Sequence, residues 1–493
     1  MKNNANYVVE LKLLPNQNDL EVLHKRFAIG EKMYNHMVAH AVKQLKQMRL
    51  NKEYKRSLSL YLKEIDNSKK RAYSQELNLI RERFGLTEYQ FHAYMKTQQQ
   101  LYKKHIDANT AQKIASTVWK GVSACLFKSG KILHFKKYGQ LTSLEGKKNT
   151  QGIRFKVKDK NLYWNGLQIP VKVRENDLFV SESLEKDIKY CRIIRKPFKT
   201  GYKYFLQLII EGFPPPKRRS DGSFKQPFAL PEGNVGLDIG PSTLAICGEN
   251  IASLIVLAPQ STIYDQTIRR LSRKLERSRR QSNPNNYNAN GTIIPGKKKW
   301  IKNHSYVKTL FEIKNLSRKK ADYIKTTHNK TTNHLLTLGD TFYIETMRFS
   351  DLQKRSDETI INDNGGIKSK KRYGKSLGNH APSKLVSILE QKLKYHKQTL
   401  YKVNTYTFKA SQYHHDSQTF NKKPLSQRHV IIHGERVQRD LYSAFLLMNS
   451  HKNLESTNQH SCEETYNRFK TNHDECIYNI KNSSQKTATS FGI

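Results

Sequence analysis

Asp238 interrupts the apolar run Val235-Gly236-Leu237-Asp238-Ile239-Gly240. A carboxylate inside a strand is costly to bury unless something pairs it. Glu345 closes the strand-like run Phe342-Tyr343-Ile344-Glu345. Asp440 follows Gln438-Arg439 and opens an amphipathic stretch containing Leu441, Tyr442, Ala444, Phe445 and Leu447. Each acid has an innocent alternative: an Asx turn for Asp238, an ion pair with Arg348 for Glu345, a helix N-cap for Asp440. Taken together, three carboxylates at two strand ends and a helix start point to a metal site. Converging carboxylates repel, and divalent cations between them relieve the repulsion. Hard Mg²⁺, with Mn²⁺ an acceptable substitute, prefers carboxylate and water oxygens. Two such ions about 3.5–4 Å apart activate a water and stabilise the leaving 3′ oxygen of a phosphodiester. The expected chemistry is therefore phosphodiester hydrolysis with no covalent intermediate.

The charge balance supplies a substrate class. The chain has 493 residues, with 87 Lys and Arg against 42 Asp and Glu, a formal net charge of +45. A small soluble domain usually carries a net charge of magnitude about 2–8. An excess this large repels itself in the compact state, and nucleic acid is the polyanion that fits it. The basic residues run along the whole chain, which favours long Lys- and Arg-lined channels over one basic arm. The densest cluster is Arg269, Arg270, Arg273, Lys274, Arg277, Arg279 and Arg280, on a predicted helix over 261–280 with Leu271 and Leu275 as its apolar seam. Within 268–280 Glu276 is the one acidic residue, so this part of the helix is expected against phosphates rather than in a self-paired surface. Lys297, Lys298 and Lys299 with Trp300 combine phosphate contact with base stacking. No apolar run is long enough to span a membrane. Five scattered cysteines and no secretory leader predict a reducing, cytoplasmic and nucleoid-associated setting without a membrane partner.

The elements that must position these residues fall into blocks. Residues 7–13 alternate as a strand, and 19–125 carry mainly helical periodicity. Short strands follow through 129–212, including Ile132–Phe135 and Tyr202–Leu208. This predicts a small barrel or sandwich over 1–16 plus 129–215, with a helical domain over 17–128 inserted into it. Pro214-Pro215-Pro216 and Lys217-Arg218-Arg219 open a linker over 216–230. An α/β pattern occupies 231–450, with an insert near 405–437. The remainder, 451–493, is poor in aliphatics and is expected as a polar, mobile tail. A Lys- and Gly-rich stretch over 354–380, with Lys368, Lys370, Lys371, Arg372 and Lys375, is a candidate lid.

With the elements in place, the motifs look familiar. Val235 to Ala245 resembles the first RuvC motif of the TnpB family, transposon-encoded RNA-guided endonucleases and ancestors of the compact type V CRISPR effectors. Phe342 to Met347 resembles the second motif, and Gln438 to Ala444 the third. The basic helix resembles the family's arginine-rich segment after the first motif. The likeness covers about 231–450 in motif order, and the N-terminal half only in organisation. It implies an α+β multidomain fold: a barrel-like wedge domain with an inserted helical recognition domain, then an RNase H-like nuclease domain. It also implies a guide RNA from the transposon end and a double-stranded DNA target beside a short recognition motif. Two other classes share these features, a cleavage-deficient guided repressor and a guide-independent resolvase. Retention of all three acids favours the nuclease over the repressor, and residues 1–230 exceed what a resolvase needs. The start of the first motif also resembles an actin-like phosphate loop, but the second loop such a fold needs has only Asp363-Asn364-Gly365-Gly366 as a candidate.

One departure concerns zinc. Many family members carry paired Cys-x-x-Cys knuckles between the second and third motifs, and residues 405–440 contain no cysteine. A four-Cys site is excluded there. His414 or His415 with His429 and His433 supply the donors for a His site, but a zinc-free hairpin held by packing is the expectation. The aromatics Tyr7, Tyr34, Tyr89 and Tyr94 either read DNA or pack.

Overall fold

The computed structural model describes residues 5–483 and 488–493, apart from 128, 129, 131, 220, 225–228, 356, 357, 360, 362–372 and 425. The chain divides into two compact units, Met1–Pro215 and Pro216–Ile493.

The first unit begins with β1 (Asn6–Leu13) and then five helices: α1 (Gln17–Leu50), α2 (Lys52–Lys63), α3 (Asn67–Arg83), α4 (Glu88–Leu101) and α5 (Ala108–Phe127). It returns to strands in β2 (Ser143–Glu145), β3 (Arg154–Lys156), β4 (Asn161–Trp164) and β5 (Leu167–Lys172). A short α6 (Leu178–Leu184) precedes the long hairpin β6 (Ile188–Phe198) and β7 (Gly201–Glu211). The seven strands order as β2-β6-β7-β1-β5-β4-β3, so β1 sits at the centre although the helical block separates it in sequence. Strict alternation on β1 puts Tyr7, Val9, Leu11 and Leu13 into the core. The sheet is curled, and its edges meet at Asn149. That amide donates to the Phe155 carbonyl at 3.1 Å and accepts the Phe155 N–H at 2.8 Å, doing for the seam what a strand ladder does elsewhere. Buried polar groups dock α1 on the strands and loops. Arg26 donates to the Trp164 and Asn165 carbonyls, and Glu31 accepts the N–H groups of Gly139, Gln140 and Leu141.

One expected strand is not formed. Ile132–Phe135 has no ladder, because α1 side chains meet this segment: Tyr34 donates to the His134 carbonyl, and the Asn35 amide clamps the Lys136 backbone. Tyr7 is a core residue, Tyr94 stacks on His40 at 3.8 Å, and Tyr89 is exposed.

The second unit opens with β8 (Asn234–Ile239), β9 (Thr243–Gly248) and β10 (Ile251–Val256). Then come α7 (Ile263–Gln281), α8 (His304–Leu335), β11 (Thr341–Glu345), α9 (Gly374–His380), α10 (Pro382–Tyr395) and β12 (Leu400–Val403). The insert holds α11 (Thr405–Phe408) and the small hairpins β13 (Tyr413–His414)–β14 (Thr419–Phe420) and β15 (His429–Ile432)–β16 (Glu435–Gln438). Two helices close the unit, α12 (Arg439–Met448) and α13 (Gln459–Lys481). Five strands order as β10-β9-β8-β11-β12, antiparallel from β10 to β8 and parallel across β8, β11 and β12. Strands β8 and β11 are buried on both faces, as the centre of a covered sheet requires. Strand β10, the apolar run Ile251-Ala252-Ser253-Leu254-Ile255-Val256, is not among the elements expected from the sequence.

Helix α12 is buried nearly all round, from Arg439 through Met448 apart from Asp440. Such a helix needs a cover on each face. Strands β8 and β9 cover one, and α13 packs against it as well, with Phe469 stacked on Phe445 at 4.4 Å. The mobile tail expected over 451–493 is therefore corrected for 459–481. Cys462, Tyr466, Phe469 and His473 recur at helical spacing and are buried, a stripe that the polar surroundings obscured. Among the described residues no helix is long and apolar enough to cross a membrane.

Candidate active site

Strands β8 and β11 are adjacent and parallel, with Ile344 opposite Leu237. Asp238 and Glu345 are each the next residue along, so the register alone sets both acids at the same end of the sheet. In open α/β sheets, the carboxyl ends of neighbouring parallel strands are where ligands bind. Asp440 arrives by packing. A Cβ added to Gly236 would lie 1.9 Å from the Ala444 carbonyl oxygen and 2.4 Å from the Met448 nitrogen. Backbone therefore rests on backbone where α12 crosses β8, and Asp440 stands one turn before Ala444, toward Asp238.

Asp238 senses both of the other acids. Burial, then the Asp440 and Glu345 carboxylates, push the Asp238 carboxyl well above the ordinary range, against a smaller opposing pull from Arg439. Burial raises Glu345 too, while the Ala410 N–H donates to it and opposes the rise. All three side chains keep part of their surface open. Among the described residues, only His415, His433 and Glu463 gather three donor atoms of His, Cys, Asp or Glu within 4.8 Å. The carboxylates are thus more widely spread than one shared ion would need. The innocent alternatives fail for two of them. Gln438, not Asp440, caps α12 by accepting the Leu441 N–H at 2.8 Å, and Glu345 is met by Ala410.

Two positioning features were not singled out from the sequence. Arg439 places its Nε 3.5 Å from Asp440 Oδ1 and spends its Nη1 on the Gln427 carbonyl at 3.0 Å, which ties the insert to the head of α12. The second is α13. His473 Nε2 accepts the Gln438 N–H at 2.9 Å, and the Gln438 amide donates to the Phe491 carbonyl. The start of α12 is held by residues far beyond the third motif. A basic residue beside an acid is too common to signal Arg439, and nothing local to Gln438 announces His473.

The basic helix divides in two. Arg269, Arg270, Arg273, Lys274 and Arg277 are exposed on α7, whose Leu271 is buried. Arg279 is engaged internally: it pairs with Glu276 at 2.7 Å, donates to the Tyr287 hydroxyl and lies 5.0 Å over the Trp300 ring. Arg280 also reaches Glu276, at 3.2 Å. Trp300, expected to stack on bases, sits edge-on to Tyr287 and is partly buried. Lys297 and Lys299 are exposed and Lys298 half-buried. Lys368, Lys370, Lys371 and Arg372 of the candidate lid, and Asp363 to Gly366, lie outside the described residues. Lys375 is exposed on α9, which Asn379 anchors to Asp265 and Lys320.

Of the four histidines, His414 and His429 are taken up separately: Lys423 donates to His414, and Arg436 to His429 at 2.9 Å. His415 and His433 come together, with ring centroids 5.3 Å apart.

No family model matches the sequence. No curated protein matches it either. Among solved structures the chain is similar to a cryo-EM structure of a Cas12f1–sgRNA–target DNA complex, at 11% identity and a TM-score of 0.40, over 91% of this chain and 99% of that one. A CRISPR-Cas12f ternary complex is similar at 13% identity and a TM-score of 0.26, over 92% and 100% of the two chains. Both scores are too low to carry function across.

Proposed function

We propose that this chain is a metal-dependent nuclease that hydrolyses DNA phosphodiesters, and specifically an RNA-guided endonuclease of the TnpB type with an RNase H-like catalytic unit over 231–450. The observation that carries the nuclease reading is the convergence of Asp238, Glu345 and Asp440. Two acids sit in register on neighbouring parallel strands, and the third is fixed by α12 lying directly on Gly236. A fold that keeps Asp238 half-buried beside two like charges has a need that a cation meets. All the donors are carboxylate oxygens, which fits Mg²⁺.

Asp238, Glu345 and Asp440 would hold the two ions. When bound, a pair of divalent ions supplies water activation and stabilisation of the leaving 3′ oxygen. The chain's own residues do the positioning. The Ala410 N–H orients Glu345, Arg439 orients Asp440, and the Gln438 cap fixes the first turn of α12. The exposed arginines of α7 face phosphates of the guide or heteroduplex, which suits a chain with net charge +45. Guidance itself rests on the motif resemblance. The target-adjacent motif and the origin of the guide in a transposon end belong to that resemblance as well.

Two experiments test the reading in order. RNA recovered with the protein from cells expressing its own locus is expected as one discrete species with a structured scaffold and a variable end. Heterogeneous RNA that salt removes would favour the guide-independent resolvase. With that RNA in hand, Asp238→Ala is expected to abolish Mg²⁺-dependent cutting while sparing guide-dependent DNA binding. Cutting at the wild-type rate by this variant would overturn the carboxylate assignment.

A further inference from the structure

A second cluster of metal-binding side chains lies apart from the three acids. His415 follows β13, His433 occupies the turn between β15 and β16, and Glu463 lies on the first turns of α13. His433 Nε2 is 3.3 Å from Glu463 Oε2, and His415 Nε2 is 4.0 Å from Glu463 Oε1. One donor atom from each of the three lies within 4.8 Å of the other two. His415 is completely buried, and among the described residues nothing hydrogen-bonds to its Nε2. Leaving a buried polar atom unpaired costs about 1–3 kcal/mol, so the orphaned nitrogen asks for a partner.

The surroundings prepare that nitrogen as a ligand. His415 Nδ1 is 2.8 Å from the Tyr442 hydroxyl. In the tautomer that donates its Nδ1 proton there, Nε2 keeps a lone pair facing His433 and Glu463. A metal-bound imidazole has this arrangement, with its other nitrogen donating to an oxygen. Asp416 accepts the His433 N–H at 3.1 Å and holds the turn in place. The two remaining donors sit on side chains with 39% and 43% of their surface open, so they have room to close. Zinc–nitrogen bonds of about 2.0–2.1 Å put tetrahedral donors roughly 3.4 Å apart. The gap to be closed is therefore on the order of 1 Å.

We propose that His415, His433 and Glu463 bind one Zn²⁺ ion, with water as its fourth ligand. Two imidazoles and a carboxylate suit zinc better than Mg²⁺, which takes oxygen donors. The ion would join the insert hairpins to α13, and through Tyr442 to the helix that carries Asp440. It is a structural pin that supports the active site from outside it. His414 and His429 take no part, and neither does any cysteine.

The test measures zinc in the untagged full-length protein by mass spectrometry after dialysis with added Zn²⁺. Stoichiometric zinc is expected in the wild type and in Asp238→Ala, which separates this site from the three carboxylates. His433→Ala and Glu463→Gln change half-exposed side chains and are expected to fold but to lose the ion. In Co²⁺-loaded wild type, visible bands of tetrahedral coordination are expected, and in His433→Ala they are not. A chelator should lower the unfolding midpoint of the wild type and leave that of His433→Ala unmoved. A zinc-free wild type after dialysis, or zinc retained at full stoichiometry by both His433→Ala and Glu463→Gln, would overturn the proposal whatever becomes of the nuclease reading.

Discussion

Replacing Gly236 by alanine adds one methyl group at the point where α12 meets β8. The new carbon would stand 1.9 Å from the Ala444 oxygen and 2.4 Å from the Met448 nitrogen. Both obstacles are backbone, so no side chain can swing aside. Carbon contacts normally lie at about 3.5–4.0 Å, and α12 must therefore retreat by at least about 1 Å. Overpacking of this kind costs about 1–3 kcal/mol, and a backbone obstacle argues for the upper end. For a unit of this size each kcal/mol moves the midpoint by about 2–4 °C, so the expected loss is about 6–12 °C. Asp440 rides on the displaced helix, and a 1 Å misplacement of a catalytic group costs about 10²-fold in rate. Thermal unfolding followed by circular dichroism reads the first effect, and single-turnover cleavage with saturating Mg²⁺ reads the second. An unchanged midpoint together with wild-type cutting would refute the idea that Gly236 sets the approach of Asp440. A lowered midpoint with wild-type cutting would refute only the catalytic half.

Other expectations follow from the same geometry. The paired substitution Arg269→Gln and Arg273→Gln removes two exposed charges from α7, and should lower the slope of log affinity against log salt by roughly 1.5, at about 0.7–0.9 per phosphate. Arg279→Gln should instead lower the unfolding midpoint, because that guanidinium is spent on Glu276, Tyr287 and Trp300; equal salt slopes for both variants would contradict this division. Asn149→Ala removes both seam hydrogen bonds to Phe155 and is expected to cost about 1–3 kcal/mol, with amide exchange accelerated at β3 before other strands. Burial holds the His473 imidazole below its ordinary pKa against the opposing pull of Asp474, with Lys470 and Glu435 also facing it. The unfolded chain then binds this proton more readily than the folded one, so stability is full above the unfolded value of about 6.5 and falls as pH drops below it. Protonation also destroys the acceptor for the Gln438 N–H. His473→Leu should be less stable than wild type at pH 7.5 and show a shallower loss toward pH 5; an unchanged pH profile would remove His473 from this role.

Much of the second unit was legible because the signals are local. An acid inside an apolar strand and an acid at a helix start violate the burial pattern around them. The alternation of β1 and the run of helical periodicity through 19–125 need only neighbouring residues to be recognised. Ile132–Phe135 misled because an apolar quartet fits a strand, and its backbone is met by Tyr34 and Asn35 from a distant helix. The tail misled because Cys462, Tyr466, Phe469 and His473 are diluted by charged residues, and because the demand for them comes from α12, which needs a second cover.

The sequence by itself determined which residues are out of place for packing: residue type and period decide where a charge interrupts an apolar pattern, and the composition sets a net charge of +45. Tertiary structure decided what stands beside what. The register of β8 and β11 aligned Asp238 with Glu345, and the missing side chain of Gly236 let α12 bring Asp440 to them. The closing of two hairpins against α13 gathered His415, His433 and Glu463 and sent His414 and His429 elsewhere. These are distances between residues tens to hundreds of positions apart. They follow from packing, which sums over the whole core, and no local pattern encodes that sum.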